Sequence, residues 1–383
     1  MAKKRYRQSK KIKMRGITER ILVGSIILLC VILVGFSLFM IIKSVGKMNL
    51  NRHADKVASS ELTQNLSDAA GTSQSGSEEN TADAEGSETA AQPTVELQEG
   101  QIFHNGEIWQ YNEDIMTFLC MGVDARSGVT KEKTPGKGGQ ADAILLIVAN
   151  PHTESIQVIN INRDSMTDIE MYDTDGGYAG REKRQLALQY AYGDGRVSSC
   201  ELMEKAVSEL FYGIPIHGYV ALDMESIPTL NDSVGGVTVT VPEDMTKYKS
   251  GWSEGAEITL KGNDALLFVR EREDESAELG TNLRRILRQK QYLAAFADRM
   301  KAKTKDDITF PITLYGKVQK HMVTSFSVDE ITYLASTLLG YDFSMDNING
   351  VPGEMAMGEK NEEYYMDDEA LRNLIIETFY ERY

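Results

Sequence analysis

The chain has 383 residues, 42% of them hydrophobic, and a formal net charge of −16 at neutral pH. That apolar content is enough for a sizeable core and excludes a wholly disordered chain. The acidic excess argues against nucleic-acid binding, because a phosphate backbone would be repelled, and five scattered histidines with three cysteines form no zinc-type spacing.

The charge is unevenly spread. Residues 1–20 carry nine Lys/Arg against one Glu, a net of +8, which leaves −24 on the other 363 residues. Ile21 to Ile42 then runs for 22 positions with no charged residue. As a helix it would reach roughly 33 Å, the thickness of a bilayer core. A cleaved signal peptide has a shorter apolar region and a small-x-small cleavage site, whereas here "IIKSVGKMNL" follows. The expectation is therefore a basic cytoplasmic tail over 1–20 and an uncleaved transmembrane helix over 21–42. The basic flank places the N-terminus inside and everything beyond outside the cell. Residues 51–101 contain no Phe, Trp or Tyr and are rich in Ser, Glu, Ala, Thr and Gly. Such a stretch cannot bury enough apolar surface to offset the entropy of ordering, so 43–110 reads as a disordered acidic tether.

The folded domain is expected over 111–383. "TFLCMGVD" (117–124) reads as a buried strand ending in Asp124, followed by a Gly- and Lys-rich loop. "AILLIVAN" and "SIQVINI" flank "PHTE" and read as a hairpin whose second arm runs into Asn162, Arg163 and Asp164. A helix is expected over "CELMEKAVSELFYGI", a strand at "HGYVALDM", a short helix with a glycine stop at "ESIPTLNDSVGG", and a strand at "VTVTVPED". Helices follow at "KGNDALLFVRER" and "NLRRILRQKQYLAAFADRMK", then a strand at 308–314 and helices near 328–339 and 367–380. The mixture implies a layered α/β or α+β domain. Cys120 and Cys200 fit either one disulfide or two buried thiols.

Two constellations carry chemistry. Asp124 and Asp142 each stand at an end of an apolar strand, on either side of the glycine-rich loop. If the strands are neighbours, the two carboxylates repel unless a divalent cation lies between them. Mg²⁺ suits an all-oxygen site with few protein ligands and usually brings phosphate with it. Two unrelated loop aspartates would show the same spacing. The second constellation is arginine: Arg163 after an apolar strand, Arg270 and Arg272 after "ALLFV", and Arg284, Arg285, Arg288 and Gln289 on one helix. Planar guanidinium groups converging on one point would hold a diphosphate. A solvated helix face, with "EREDESAE" pairing Arg270 and Arg272, is the competing reading.

"MGVDAR", "GQADAILLIVANP", "INRDSMTDI", "QYAYGDG", "YGIPIHGYVALDM", "VGGVTVTVPEDM", "LKGNDALLFVRER" and "NLRRILRQKQ" occur in that order. This set resembles the LytR-CpsA-Psr family of cell-envelope phosphotransferases, closely over about 112–300 and more loosely to the C-terminus. The resemblance implies an α-β-α layered α/β fold, a central mixed sheet flanked by helices. It implies transfer of a glycopolymer (teichoic acid, capsule or another wall polysaccharide) from an undecaprenyl-pyrophosphate carrier to peptidoglycan at a Gram-positive-type membrane. It also implies Mg²⁺ on Asp124 and Asp142, and an apolar channel for the lipid. Carried over by motif, Arg163 with Asp164, Arg270, Arg272, Arg285 and Gln289 point at the pyrophosphate, with Arg126 a weaker member. The apolar residues of 202–211 and 286–300 would either wall the lipid channel or form ordinary core. Two positions depart from the pattern: Gln140 stands where many members have arginine, and Gln185 where many have lysine. Both changes remove positive charge, for which Lys183 or Arg184 could compensate. A pyrophosphatase acting on the same substrate would use the same residues, whereas a non-catalytic binder of lipid-linked glycans need not keep the metal pair.

Overall fold

The computed structural model describes residue 40 and residues 42–52, 59–69, 97–124, 134–271, 281–359 and 361–383. Its centre is a six-stranded mixed sheet. The strands are β3 (Met116–Val123), β4 (Ala141–Asn150), β5 (Ser155–Ile161), β8 (Tyr219–Asp223), β11 (Met322–Thr324) and β12 (Ile348–Gly350), in the order β11-β8-β3-β4-β5-β12. The expected hairpin is β4–β5, antiparallel, with β3 antiparallel on its other side. β8 joins β3 in parallel and β12 joins β5 in parallel.

Period-2 alternation divides β3 between two cores. Leu119, Met121 and Val123 face the main core, where Cys200, Met203, Ala206 and Val207 of helix α3 (Val197–Leu210) cover the sheet. Met116 and Phe118 face the opposite side, against Tyr333 of α8 (Val328–Leu338). The sheet is thus sandwiched by helices, as expected. A smaller third core joins the β9–β10 ribbon (Val237–Thr240, Glu257–Leu260) to α5 (Asn263–Arg270) and α6 (Thr281–Asp306). Between β8 and β9 lies α4 (Ser226–Ser233), ended by Gly235 and Gly236. Cys120 and Cys200 are not in a disulfide. Burial pushes their thiols up, to about 11 and about 12.

Three expectations are corrected. The domain begins before residue 111: β1 (Gln101–His104) and β2 (Glu107–Tyr111) form a hairpin, and the C-terminal strand β15 (Tyr380–Arg382) adds to β2. Nor is the stretch 43–110 a tether throughout. Residues 42–52 are helical (α1), with Leu50 fully buried and Asn49 Nδ2 donating to Asp329 Oδ2 at 2.9 Å. α2 (Ser59–Ala69) sinks Leu62 and Leu66 into the main core. The apolar side of each short helix, isolated in a polar composition, gains its stability from the domain surface rather than from its own propensity. Residues 70–96 of that stretch lie outside the described residues. Finally, the strand expected at 308–314 is helix α7 (Phe310–Val318). Pro311 suits a first helical turn, and Leu314 and Val318, four apart, are both buried. The apolar run 21–42 falls almost wholly outside the described residues, among which no helix is long and apolar enough to cross a membrane.

Candidate active site

One edge of the central sheet gathers the chemistry. β3 runs out at Val123 and β4 enters at Ala141, so Asp124 and Gln140 meet across the strand ends, the Asp124 N–H donating to the Gln140 carbonyl at 3.2 Å. The ladder pairs Gly122 with Ala143 and Val123 with Ala141, which leaves Asp142 as the extra residue of a β-bulge. A bulge re-aims a side chain and ends regular pairing, and here it frees the first carboxylate of β4 from the alternation of its strand. The two glycines ahead of it have physical reasons. Gly139 has φ +88°, and a Cβ on Gly138 would lie 3.2 Å from both the Ala191 carbonyl and the Gly195 amide.

Arg163 and Asp164 sit on a tight turn where β5 ends, between β5 and β6 (Met166–Tyr172). The turn is pinned from several sides. Asp164 N–H donates to Asn162 Oδ1 and Ser165 N–H to the Asn162 carbonyl, both at 3.0 Å, and the Arg163 carbonyl accepts from Ala187 N–H at 3.0 Å. Held this way, the Arg163 guanidinium donates through Nη1 to Asp142 Oδ1 and through Nη2 to Gln140 Oε1 at 3.0 Å. Its Nε lies 3.4 Å from Asp164 Oδ1. Gln185, the last residue of β7 (Tyr178–Gln185), donates to the same Asp164 oxygen at 2.9 Å and to the Glu362 carbonyl at 2.7 Å.

Gln140, Asp142, Arg163, Asp164 and Gln185 therefore form one network, with Asp124 adjoining it through the backbone. The two departures from the family pattern are part of it: Gln140 supplies an acceptor where an arginine could only donate, and Gln185 a neutral donor where a lysine would bring charge. Neither expected compensation joins in this arrangement. Arg184 is paired with Glu182 and Lys183 stands over the Tyr365 ring.

The helical half is built differently. Arg270, exposed, closes α5. Gln289 of α6 donates to the Val269 carbonyl at 3.1 Å, which ties α6 to the residue before Arg270. Arg285, one turn earlier, is half-buried. Arg288 proves to be structural: it is 2% exposed, donates to Met245 Sδ at 3.1 Å and to the Glu271 carbonyl, and faces Glu243 Oε1 at 3.4 Å. Burying a guanidinium demands such partners. Arg126 and Arg272 lie outside the described residues. The "QYAYGDG" segment is structural too. Gln189 is buried against the Glu170 backbone, Tyr190 donates to the Gly195 carbonyl at 2.9 Å, and Asp194 accepts the Arg196 and Ser198 amides at the head of α3.

Among the described residues no group of three or more His, Cys, Asp or Glu side chains could hold a metal by itself. A hard cation such as Mg²⁺ uses few protein carboxylates and completes its shell with water and phosphate oxygens, a requirement that two carboxylates at adjoining strand ends fit in chemical type. Sequence reasoning missed one dyad at this edge, Asp223 with His321. The signal was present in "HGYVALD", an apolar strand ending in aspartate like the one that ends in Asp124.

A model of the LytR_cpsA_psr family matches residues 70–378. A polyisoprenyl-teichoic acid–peptidoglycan teichoic acid transferase, TagU, of Bacillus cereus is 31% identical over 222 residues, covering 56% of this chain and 62% of the relative. TagV of Bacillus subtilis, with the same descriptive name, is 25% identical over 249 residues, covering 63% of this chain and 59% of the relative. The matched stretches thus span about three fifths of those relatives' own length. The crystal structure of B. subtilis TagV superposes with a TM-score of 0.51 at 21% identity, over 69% of this chain and 97% of that one. TagT bound to LI-WTA superposes with 0.50 at 20% identity, over 69% and 89%. These two likenesses establish the shared fold.

Proposed function

The chain belongs to the LytR_cpsA_psr family, and we propose that it is a membrane-anchored phosphotransferase that moves a glycopolymer from a polyprenyl-pyrophosphate carrier to a peptidoglycan sugar hydroxyl. The relatives' names supply the donor and acceptor classes, a polyisoprenyl-linked teichoic acid and peptidoglycan. The apolar run 21–42, with its basic flank, supplies the anchor and an extracytoplasmic placement of the domain.

The observation that carries this reading is the position of Arg163, fixed between Asp142 and Asp164 at the sheet edge where β3 delivers Asp124. A guanidinium in that position presents a planar fork to a diphosphate. Arg270, Arg285 and Gln289 would approach the same diphosphate from the helical half, and Arg126 and Arg272 are assigned there by motif. Asp124 and Asp142 would hold Mg²⁺, which when bound neutralises charge on the phosphate oxygens. In the reaction the acceptor hydroxyl attacks the phosphorus nearest the glycan and the polyprenyl phosphate departs, leaving a phosphodiester. The protein's task is alignment and charge neutralisation rather than covalent chemistry.

The test is transfer from a short-chain polyprenyl-pyrophosphoryl sugar to a peptidoglycan fragment by the full chain in Mg²⁺, in EDTA, and with Asp142→Ala. Turnover lost in both of the latter is expected. A second reading, a non-catalytic binder of lipid-linked glycans, is favoured by Gln185 standing where the family often supplies a charge. Donor binding without turnover for any acceptor would select it. Turnover that releases the glycan to water, indifferent to acceptor, would identify a pyrophosphatase.

A further inference from the structure

We propose that His321, oriented by Asp223, takes the proton of the attacking acceptor hydroxyl; the inference rests on the transferase reading and supplies its missing general base.

Asp223 ends β8 and continues the buried Tyr219–Ala221 face. In the parallel ladder it pairs with Val123, the residue before Asp124, so the two aspartates leave the sheet at the same edge. With β3 lying between β8 and β4, the backbone at Asp223 is two strand spacings, roughly 10 Å, from the start of β4. β11, antiparallel to β8 with Met322 opposite Leu222, brings the preceding residue, His321, alongside Asp223. α4 begins just after Asp223 and packs on α5 and α7, so the dyad lies beside the helices that continue to Arg270.

The dyad has the chemistry of an oriented base. Asp223 is fully buried and both its oxygens are engaged: Oδ1 accepts the Ser226 amide at 2.9 Å, and Oδ2 lies 2.8 Å from His321 Nδ1. An ionised carboxylate only accepts, so Nδ1 carries the hydrogen. In the neutral ring Nε2 then bears the lone pair, and it has no hydrogen-bond partner among the described residues. The His321 side chain is 29% exposed, open enough to meet a hydroxyl. The carboxylates nearer the diphosphate are less suited, since Asp142 and Asp164 are both engaged by the Arg163 cation. The step balances simply. The acceptor oxygen bonds to phosphorus, the bridging P–O bond breaks toward polyprenyl phosphate, and the hydroxyl proton moves to Nε2. Asp223 stabilises the resulting imidazolium, which then loses its proton to water.

The alternative is a purely structural clasp between β8 and β11, and His321→Asn separates the two, because its amide can still donate to Asp223 but cannot take a proton. The full chain in lipid nanodiscs with Mg²⁺ would be assayed for donor binding and for transfer, as wild type, His321→Ala and His321→Asn. Both variants are expected to bind donor like wild type and to lose roughly a hundredfold or more in transfer rate. Added imidazole is expected to restore part of the rate of His321→Ala. Near wild-type transfer by His321→Asn, or losses in both variants that follow lost donor binding, would overturn the proposal. A wild type that binds donor and transfers to no acceptor would instead overturn the transferase reading, and the base with it.

Discussion

Arg163 meets two carboxylates and a side-chain amide with one guanidinium, and this division of donors is what makes the neighbouring glutamines intelligible. Gln140 can accept from Arg163 where an arginine would repel it; Gln185 can satisfy Asp164 without adding charge. The site is therefore internally satisfied with less positive charge than the family pattern supplies, and an incoming diphosphate must compete with Asp142 and Asp164 for Arg163. A cation at 185 should shift that competition. Gln185→Lys keeps a donor to Asp164, so its effect on folding stability is expected within about 0.5 kcal/mol, as for partly exposed pairs. Asp164 would then lean on the lysine and release Arg163 to the ligand. Affinity for a polyprenyl-pyrophosphoryl donor is expected to rise by up to roughly tenfold at low salt, the gain fading toward 1 M salt as screening takes over. Donor titrations at two ionic strengths decide this, and an affinity indifferent to the substitution would place Gln185 outside the binding site.

Strand ends, more than strands, distinguish this fold, and a second strand end has its own electrostatics. His152, in the β4–β5 turn, lies 3.1 Å from Asp114 Oδ2 through Nε2 and 2.9 Å from Glu381 Oε1 through Nδ1. It thereby links the central sheet to the C-terminal strand β15. Those two hydrogen bonds, Asp114 first and then Glu381, raise the His152 pKa above its usual value. A histidine whose folded pKa is raised adds stability that is complete below its unfolded pKa, about 6.5, and that disappears as pH climbs through the folded pKa. The difference in Tm between wild type and His152→Ala should accordingly be largest near pH 5.5 and close by about pH 8.5, and salt should shrink it. A gap that is constant with pH would mean the ring acts by packing alone. The strands themselves were legible in the sequence because 143–149 is an unbroken apolar run, 117–123 is nearly one, and 155–161 carries Ile156, Val158, Ile159 and Ile161 among polar residues. Their ends were legible only as residue types. That Asp142 is a bulge residue depends on a one-residue mismatch between β3 and β4, and that Asp223 meets His321 depends on pairing across 98 positions of sequence. The segment 308–314 reads locally as strand because Ile308, Thr309, Phe310, Ile312 and Thr313 favour that state, yet it enters helix α7. The burial of Leu314 and Val318 on one helical face overrides that preference.

At the scale of the whole molecule, the composition of 43–110 reads as a spacer, and composition does not report where a few leucines dock. Leu50 packs with Met116, Phe118 and Tyr333 on one face of the sheet, while Leu62 and Leu66 enter the main core on the other. Around them, Thr63 Oγ1 meets Tyr380 Oη at 3.0 Å, Asn65 Nδ2 donates to the Tyr212 carbonyl at 2.9 Å, and Arg372 Nη1 donates to the Ala69 carbonyl at 2.7 Å. The chain is thus engaged with the domain from within a few residues of the end of the apolar run at 42. If that run is the membrane anchor, as proposed, the domain is held close to the bilayer, where a polyprenyl carrier would present its pyrophosphate. A truncation is the direct check. A chain starting at residue 97 exposes the pockets of three fully buried leucines, each contributing about 1.5–3 kcal/mol on burial, offset in part by the entropy of ordering two short helices. Its Tm is expected to fall by at least about 5 °C relative to a chain starting at residue 42. Replacing 70–96 with a Gly/Ser segment of equal length, by contrast, should leave Tm within about 2 °C, because that composition offers little apolar surface to bury. If the truncated domain were as stable as the longer one, α1 and α2 would be surface passengers and the case for a domain held near the bilayer would fall.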